Sequence, residues 1–214
     1  MNSLLFFWTR ASDSINVIEL LKKNKIILGT SDTILGFLAP LTQEGFDSLN
    51  SVKGRFAKPY IVLIGDPRKI DLFVEMPISP AVKMLIDHCW PGPLTLIMKA
   101  KRELAPYLKS QDGTIALRMP DHQGLLSVLK EVDGLFSTSA NKADMPVPLS
   151  IDAVDQEIKK QAAAIILDSP ESQKSQSVRP STILDCTGET IKVIREGAYP
   201  IEDLEQVAGQ TFKK

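Results

Sequence analysis

Segments with the pattern of buried strands alternate with segments of helical periodicity along this 214-residue chain. Short apolar runs typical of strands occur at residues 25–29, 34–38, 60–64, 94–98, 113–118, 134–136, 163–167, 183–185 and 191–194. Amphipathic helices are predicted at residues 12–24, 42–52, 81–88, 123–132, 151–160 and 201–207. Because this alternation favours helices packed on a shared sheet, and no repeat or linker interrupts it, the pattern predicts one α/β domain over residues 1–214.

Several predicted boundaries rest on turn and capping residues. Asp121 is the expected N-cap of the helix at 123–132, and Ser150 that of the helix at 151–160. The run Trp90-Pro-Gly-Pro93 predicts a rigid turn, for which a structural role is at least as expected as a functional one. The polar run 168–179 is predicted to be a loop, and we hypothesise that it covers a bound nucleotide.

Composition excludes several classes of function. A net charge of -1 gives no overall positive field for nucleic acid, so any anion site must be local. The two cysteines and two histidines argue against a disulfide framework and a structural zinc site. The opening residues lack a basic segment, and their apolar run is too short for a signal peptide or a membrane span. We therefore expect a cytoplasmic protein without membrane contact.

Small hydroxyl side chains gather at predicted strand ends. The run Ser137-Thr-Ser139-Ala-Asn141 follows the apolar residues 134–136 directly. The other clusters are Ser31 with Thr33, Thr114, and Ser181 with Thr182. Ligands of α/β proteins bind at the carboxyl ends of strands. Each cluster taken alone is more typical of an ordinary polar turn than of a ligand site.

Cationic side chains lie near the same predicted ends and turns. They are Lys53, Arg55, Lys58, Arg118 and Arg195. Such residues bind phosphate or carboxylate, although a solvated basic loop, or a surface ion pair at Arg118, is the ordinary alternative. The sequence has no Walker motif, dinucleotide glycine motif, paired-carboxylate signature or Ser-His-Asp pattern. Chemistry here would depend on holding anionic reactants and neutralising charge, as in phosphoryl and nucleotidyl transfer.

Seven short motifs occur between residues 31 and 198. They are Ser31-Asp-Thr33 with Gly36, Lys53-Gly-Arg55 with Lys58-Pro59, Trp90-Pro-Gly-Pro-Leu-Thr95, Thr114-Ile-Ala-Leu-Arg118-Met-Pro-Asp-His122, Ser139-Ala-Asn141, Pro180-Ser-Thr-Ile183 and Arg195-Glu-Gly-Ala198. In this order they resemble the YrdC/TsaC family of threonylcarbamoyl-adenylate synthases, in its short single-domain form. The resemblance runs over about residues 25–197, within a motif-bearing part of about 12–208. It implies a large twisted mixed sheet flanked by helices, with a concave basic cavity.

The resemblance also implies a reaction. L-Threonine, bicarbonate (or CO2) and ATP would give threonylcarbamoyl-AMP and pyrophosphate, with Mg²⁺ as the implied cofactor. A separate transferase complex would then pass the threonylcarbamoyl group to tRNA, and direct contact with tRNA is a further expectation. The motifs carry over no general base and no metal ligand.

Site residues are carried over motif by motif. ATP is expected at Arg55, Lys58, Thr114, Ser139 and Arg195, and L-threonine at Ser31, Arg118, Ser137 and Ser181. Supporting roles fall to Lys53, Asn141, Thr33 and Thr182, with charge stabilisation by Lys53 and Arg55.

The chain departs from the family pattern at several positions. Thr30 and Leu35 stand where the family usually has Pro and Tyr. Leu63 falls where some relatives place a polar contact to threonine, and Val147 where relatives often offer a serine to ATP. The interval between Arg55 and Lys58 is one residue shorter than the family pattern. Weakened activity or altered specificity is therefore one alternative.

Three other functions remain open from sequence alone. The first is a non-catalytic module that binds tRNA or double-stranded RNA, which the net charge of -1 and the lack of interleaved aromatic residues disfavour. The second is a carbamoyl-transfer domain of the hydrogenase-maturation type, which usually sits in a longer chain with zinc motifs. The third is a degenerate family member that acts as a scaffold.

Overall fold

This computed structural model of the chain describes residues 4–54, 59–143, 145–169 and 179–213. The strands within them are β1 (Leu4–Phe7), β2 (Ile27–Gly29), β3 (Gly36–Pro40), β4 (Ile61–Leu63), β5 (Leu94–Lys99), β6 (Thr114–Arg118), β7 (Leu135–Ser139), β8 (Ala164–Leu167), β9 (Thr182–Asp185) and β10 (Lys192–Arg195). They form one sheet in the order β1-β8-β2-β3-β7-β4-β6-β5-β9-β10. Because sequence neighbours are often separated in this order, residues from distant parts of the chain meet at the same end of the sheet.

The sheet is mixed, and its central pairs bring the polar strand ends together. Strand β7 pairs antiparallel with β3 and β4, which sets Ser139 opposite Gly36 and Ser137 opposite Ile61. Strands β4 and β6 are parallel, as are β5 and β9. The predicted α/β fold with a large mixed sheet is confirmed.

Helices cover both faces of the sheet. They are α1 (Ala11–Lys22), α2 (Gln43–Lys53), α3 (Pro80–Cys89), α4 (Gln123–Leu129), α5 (Gln156–Lys159) and α6 (Ile201–Ala208). Phe37 of β3 joins the core beneath α2, α3 and α6, whereas its neighbour Leu38 joins the core beneath α1 and α4. Successive strand residues point to opposite faces, so these two cores lie on the two sides of the sheet.

Two predicted capping arrangements are wrong. The continuous helix at 151–160 is replaced by a 3-10 helix, Ile151–Ala153, and by α5, because the Asp155 carboxylate accepts the backbone N–H of Glu157 at 2.8 Å and starts a new helix. At α4 the N-cap is His122 and not Asp121, since the imidazole Nδ1 accepts the N–H of Leu125 at 3.1 Å. A histidine is an unusual cap, and propensity alone does not indicate it.

Sequence reasoning also missed strand β1. The apolar run near the start of the chain forms this edge strand, which pairs parallel with β8 from Leu4 opposite Ala164 to Phe7 opposite Leu167. Four residues are too few to show a clear strand period. Among the described helices, none is both long enough and apolar enough to cross a membrane.

The two cysteine thiols give a test of the core. Burial raises the pKa of Cys89, and burial together with the charge of Asp185 raises the pKa of Cys186 to about 12. At pH 8 each thiol of the folded protein should therefore react with a disulfide reagent more slowly than free cysteine, and Cys186 at least about 100-fold more slowly. Both should react at once in guanidinium chloride. A rapid thiol in the native protein, assigned with Cys89→Ser and Cys186→Ser, would contradict this packing.

Candidate functional site

A cavity of about 340 Å³ opens at the end of the sheet where several motif-bearing strands meet. Leu117, Phe136 and Leu184 point into the core beneath α2, α3 and α6. By strand alternation, Arg118, Ser137 and Ile183 point to the opposite face, where the cavity lies. The residues that the sequence predicted and that line this cavity are Ser31, Thr33, Lys53, Arg118, Ser137, Ser139, Asn141, Ser181 and Arg195.

Arg118 is buried in the cavity wall with only 5% of its surface exposed. Its Nε donates to the carbonyl of Gly92 at 3.0 Å, its Nη1 donates to Thr33 Oγ1 at 2.9 Å, and its Nη2 forms a short ion pair with Asp32. Burial lowers the pKa of Arg118, while Asp32 counteracts this effect. A guanidinium keeps its charge at neutral pH in such a setting. The alternative of a surface ion pair at Arg118 is thus wrong, because the pair is buried.

The loop at residues 30–33 is folded around this arginine. The second carboxylate oxygen of Asp32 accepts the backbone N–H of Asp121 at 3.0 Å. The hydroxyl of Ser31 donates to the carbonyl of Ile34 at 3.1 Å and lies 3.3 Å from the Thr33 hydroxyl. These bonds fix Ser31 and Thr33 on the same wall as Arg118.

Lys53 is the last residue of α2 and is 4% exposed. Its ammonium group donates to the carbonyl oxygens of Ser139 and Asn141 at 3.0 and 2.6 Å, and to Asn141 Oδ1 at 2.9 Å. Asn141 in turn accepts the Ser139 hydroxyl at 2.5 Å and donates to the Met145 carbonyl. Lys53 therefore holds the turn after β7 in place, in addition to lining the cavity.

Arg195 approaches from the bulged strand β10. Its Nε and Nη2 donate to the carbonyl of Ser181 at 3.1 and 2.9 Å, and the Ser181 hydroxyl lies 2.8 Å from that of Thr95. Burial and the positive charge of Arg118 lower the pKa of Arg195. Two cationic side chains that disfavour each other's charge would both be stabilised by an anion bound between them.

Four predicted site residues do not line the cavity or cannot be placed. Thr114 starts β6, about 13 Å along the strand from Arg118, and its hydroxyl donates to Asp112 Oδ1 at 2.8 Å. The fully buried Thr182 donates to the Tyr199 carbonyl at 2.7 Å and accepts the Gly197 N–H at 2.9 Å, so it supports the chain around Arg195. Arg55 and Lys58 lie outside the described residues, as does most of the predicted loop at 168–179.

Among the described residues, the positions that depart from the family pattern are not part of the cavity lining. Leu35 and Leu63 are each 2% exposed and belong to the two hydrophobic cores. Thr30 is buried, and its hydroxyl donates to Asp168 at 2.8 Å. Val147 lines a second, neighbouring cleft. Weakened activity or altered specificity as a result of these differences stays a prediction.

That second cleft is largely apolar and has a volume of about 450 Å³. It is formed mainly by Met145-Pro-Val-Pro-Leu149, and Met145 and Leu149 are 60% and 59% exposed. Asn141 lines both the cleft and the polar cavity. An apolar surface therefore adjoins the polar site at the turn that Lys53 holds.

Sequence reasoning missed Asp32 and the apolar part of the wall. Asp32 belongs to the motif Ser31-Asp-Thr33, but the motif alone assigned it no role. A buried arginine requires a nearby carboxylate, and Asp32 provides it. Ile34, Ile61 and Ile183 are apolar members of the lining. Strand alternation could have placed Ile183 on the face of the cavity, but nothing local separates Ile34 from a core residue. Within the described ranges, no group of three or more His, Cys, Asp or Glu side chains could hold a metal ion.

Comparison with known proteins finds relatives along nearly the whole chain. The family model for Sua5, YciO and YrdC, described as "Telomere recombination", matches residues 19–197. A Methanocaldococcus jannaschii protein, named provisionally as a threonylcarbamoyl-AMP synthase, is 31% identical over 196 residues, which are 88% of this chain and 89% of that protein. The threonylcarbamoyl-AMP synthase of Bacillus subtilis is 29% identical over 195 residues, with coverage of 89% of this chain and 55% of that enzyme.

A solved structure shares the fold. Sua5 from Pyrococcus abyssi, in complex with L-threonine, superposes with a TM-score of 0.86 at 23% sequence identity. The match covers 100% of this chain and 63% of that chain. This chain thus spans little more than half of the Bacillus enzyme and less than two thirds of the Pyrococcus protein.

Gly197 gives a test of how Arg195 is positioned. A Cβ added at Gly197 would overlap the Pro180 carbonyl oxygen and lie 2.6 Å from that of Ser181. Gly197→Ala should therefore push the two segments apart and lower the free energy of unfolding by about 1–3 kcal/mol, measured by urea denaturation.

Gly188 provides the matched control, because a Cβ there would meet its nearest atom only at 3.9 Å. Gly188→Ala should leave stability nearly unchanged. Equal stability of the two variants would show that the segments around Ser181 and Arg195 are not packed as described.

Proposed function

The chain belongs to the Sua5/YciO/YrdC family, and from this premise we propose that it is an L-threonylcarbamoyladenylate synthase. In this reaction L-threonine, bicarbonate and ATP give threonylcarbamoyl-AMP, pyrophosphate and water. The proposal makes the protein a nucleotidyltransferase, since an AMP group is transferred to a carbamate oxygen.

The observation that carries the proposal is the convergence of the cavity-lining residues. They come from seven separate segments, around residues 31–36, 53, 59–61, 118, 137–143, 180–183 and 195, and yet surround one cavity of about 340 Å³. That volume lies at the lower end of the range of small-molecule sites. A scaffold with no ligand would not need so many unlike polar groups at one point.

Threonine is assigned to the part of the cavity around Arg118. The guanidinium is fixed by Asp32, Thr33 and Gly92, which engage three of its five N–H donors. We propose that the substrate carboxylate binds on the remaining side. The hydroxyls of Ser31, Ser137 and Ser181 would then face the substrate's polar groups.

ATP is assigned to the part of the cavity near Asn141. The proposal places the phosphates by Ser139 and Arg195, with Arg55 and Lys58 as further expected contacts. Thr114 stays an expected ATP contact, although it lies outside the cavity lining. The apolar cleft between Met145 and Leu149 adjoins this part and has room for a flat base. Lys53 would act by holding Ser139 and Asn141 in place, in addition to any direct contact with ATP.

The proposed chemistry is mainly one of orientation and charge. The neutral threonine amine attacks the carbon of bicarbonate, and one amine proton leaves with the bicarbonate hydroxyl as water to give a carbamate. A carbamate oxygen then attacks the α-phosphorus, and the bond to the departing pyrophosphate breaks. Arg118 and Arg195 would offset the negative charge that gathers between them.

Mg²⁺ is proposed to enter with ATP. The described residues offer no carboxylate cluster for it, and the carboxylate of Asp32 is bonded to Arg118 and to the Asp121 N–H. Mg²⁺ commonly binds through substrate phosphates, which fits this donor set. No step is assigned to it here beyond neutralising phosphate charge.

The product must reach a tRNA-modifying partner. We propose that the protein works in the cytoplasm and hands threonylcarbamoyl-AMP to a separate tRNA threonylcarbamoyl transferase complex. We also propose that the protein contacts tRNA directly. The non-catalytic RNA-binding module is the competing function.

Pyrophosphate release tests the proposal. Purified protein with Mg²⁺ should release pyrophosphate from ATP only when L-threonine and bicarbonate are both present. Arg118→Ala should lower the rate at least about 100-fold, because it removes a fixed cationic group of the cavity. Arg195→Gln, at a less buried arginine, should also lower it, and Lys83→Met, on the exposed side of α3, should not.

Circular dichroism on each variant separates loss of function from loss of folding. Release that needs neither threonine nor bicarbonate would contradict the synthase. Tight ATP binding with no release would favour the scaffold. RNA binding with steep salt dependence, without ATP turnover, would favour the RNA-binding module.

A further inference from the structure

A hydrogen-bonded group of three side chains lies behind the cavity wall and has no role in the chemistry above. Asp168 directly follows β8, Thr30 directly follows β2, and His122 directly precedes α4. One carboxylate oxygen of Asp168, Oδ1, accepts the Thr30 hydroxyl at 2.8 Å and lies 2.7 Å from Nε2 of His122. The side chains of His122 and Asp168 are 14% and 24% exposed.

The hydrogen bonds assign the proton on His122. Its Nδ1 accepts the backbone N–H of Leu125 at 3.1 Å, so this nitrogen carries no proton in the arrangement described. The proton is therefore assigned to Nε2, which donates to Asp168. His122 is thus both the N-cap of α4 and the partner of Asp168.

Trp8 holds the same group from the other side. Its ring packs edge to face on His122 with centroids 5.4 Å apart, and its Nε1 donates to the Thr30 carbonyl at 3.3 Å. Both the hydroxyl and the carbonyl of Thr30 are therefore engaged. Burial by itself raises the pKa of Asp168, but the hydrogen bonds from His122 and Thr30 outweigh it and leave the pKa below its ordinary value.

Thr30 is joined directly to the loop that holds Arg118. Ser31 lines the cavity, Asp32 pairs with Arg118, and Thr33 accepts from Arg118. The same loop is tied to the residue before His122, since Asp32 accepts the N–H of Asp121 at 3.0 Å. A shift of Thr30 would therefore move the groups that fix the guanidinium.

We propose that His122 and Asp168 are positioning residues that hold the loop at 30–33 in register with Arg118, and so set the affinity for the amino-acid substrate. Neither side chain lines the cavity, so neither is assigned contact with the reactants. The inference rests on the proposed function in one respect, which is that the ligand beside Arg118 is an amino acid.

Two substitutions of His122 separate its roles. His122→Asn keeps an acceptor near the position of Nδ1, and asparagine is a good N-cap, but its side chain is too short to reach Asp168. His122→Gln places a donor near the position of Nε2 but caps poorly. We expect His122→Asn to melt close to the wild-type temperature with a roughly 10-fold higher KM for L-threonine, and with kcat and the KM for ATP within about twofold of wild type.

The other variants complete the test. His122→Gln should lose thermal stability yet keep a KM for threonine nearer that of wild type. Asp168→Ala should reproduce the KM effect of His122→Asn, and the double variant should be no worse than Asp168→Ala alone, because the two residues act through one contact. Asp168→Asn keeps an acceptor oxygen and should have a smaller effect than Asp168→Ala.

Amide hydrogen exchange of residues 30–33 gives a readout that does not depend on turnover. Exchange there should be faster in His122→Asn and Asp168→Ala, with global stability little changed. Suppose that the wild type is active. If the KM for threonine is then unchanged in His122→Asn and Asp168→Ala, or if the KM values for threonine and ATP rise equally, this inference is overturned and the proposed function stands. A wild type that neither binds threonine nor releases pyrophosphate overturns both.

Discussion

The buried ion pair between Arg118 and Asp32 is the interaction on which the candidate site depends. Removing one partner of such a pair leaves the other charge buried and typically costs about 3–5 kcal/mol. The pair also joins two distant parts of the chain, because Arg118 ends β6 whereas Asp32 lies in the loop after β2. The pair therefore fixes one wall of the cavity and leaves part of the guanidinium for a ligand.

A second buried cation, Lys53, organises another part of the cavity wall. Lys53 binds the carbonyl oxygens that follow β7, and this places Ser139 and Asn141 at the junction between the polar cavity and the apolar cleft. In both places a positive charge is held by neutral or anionic oxygens of the protein. Each cation thus shapes the cavity as well as contributing to its charge. Asp32 offsets the charge of Arg118. The basic character of the whole cavity, which the family resemblance implied, therefore stays a prediction.

The sequence predicted the alternating fold and most of the polar residues that line the cavity, but not the contacts that assemble them. Strand periods and small hydroxyl residues are local signals, so the strand at 134–136 and the hydroxyl cluster after it could be predicted, although β7 extends to Ser139. The partner of Arg118 could not, because Asp32 lies far away in sequence and meets it only through the strand order. Thr114 is the opposite case, because a residue close in sequence lies far from the site. It shares a motif with Arg118 but lies at the other end of β6. Likewise, nothing local to His122 indicates that it caps α4 and bonds to Asp168.

Hydrogen exchange with bound substrates shows whether the converging segments form one ligand site. Exchange would be compared for the free protein and for the protein with L-threonine and a non-hydrolysable ATP analogue. Exchange should slow together in residues 30–36, 137–143 and 180–183, with little change in α3 and α6 on the other face of the sheet. Unchanged exchange in those three segments, or protection confined to the other face, would contradict a single ligand site.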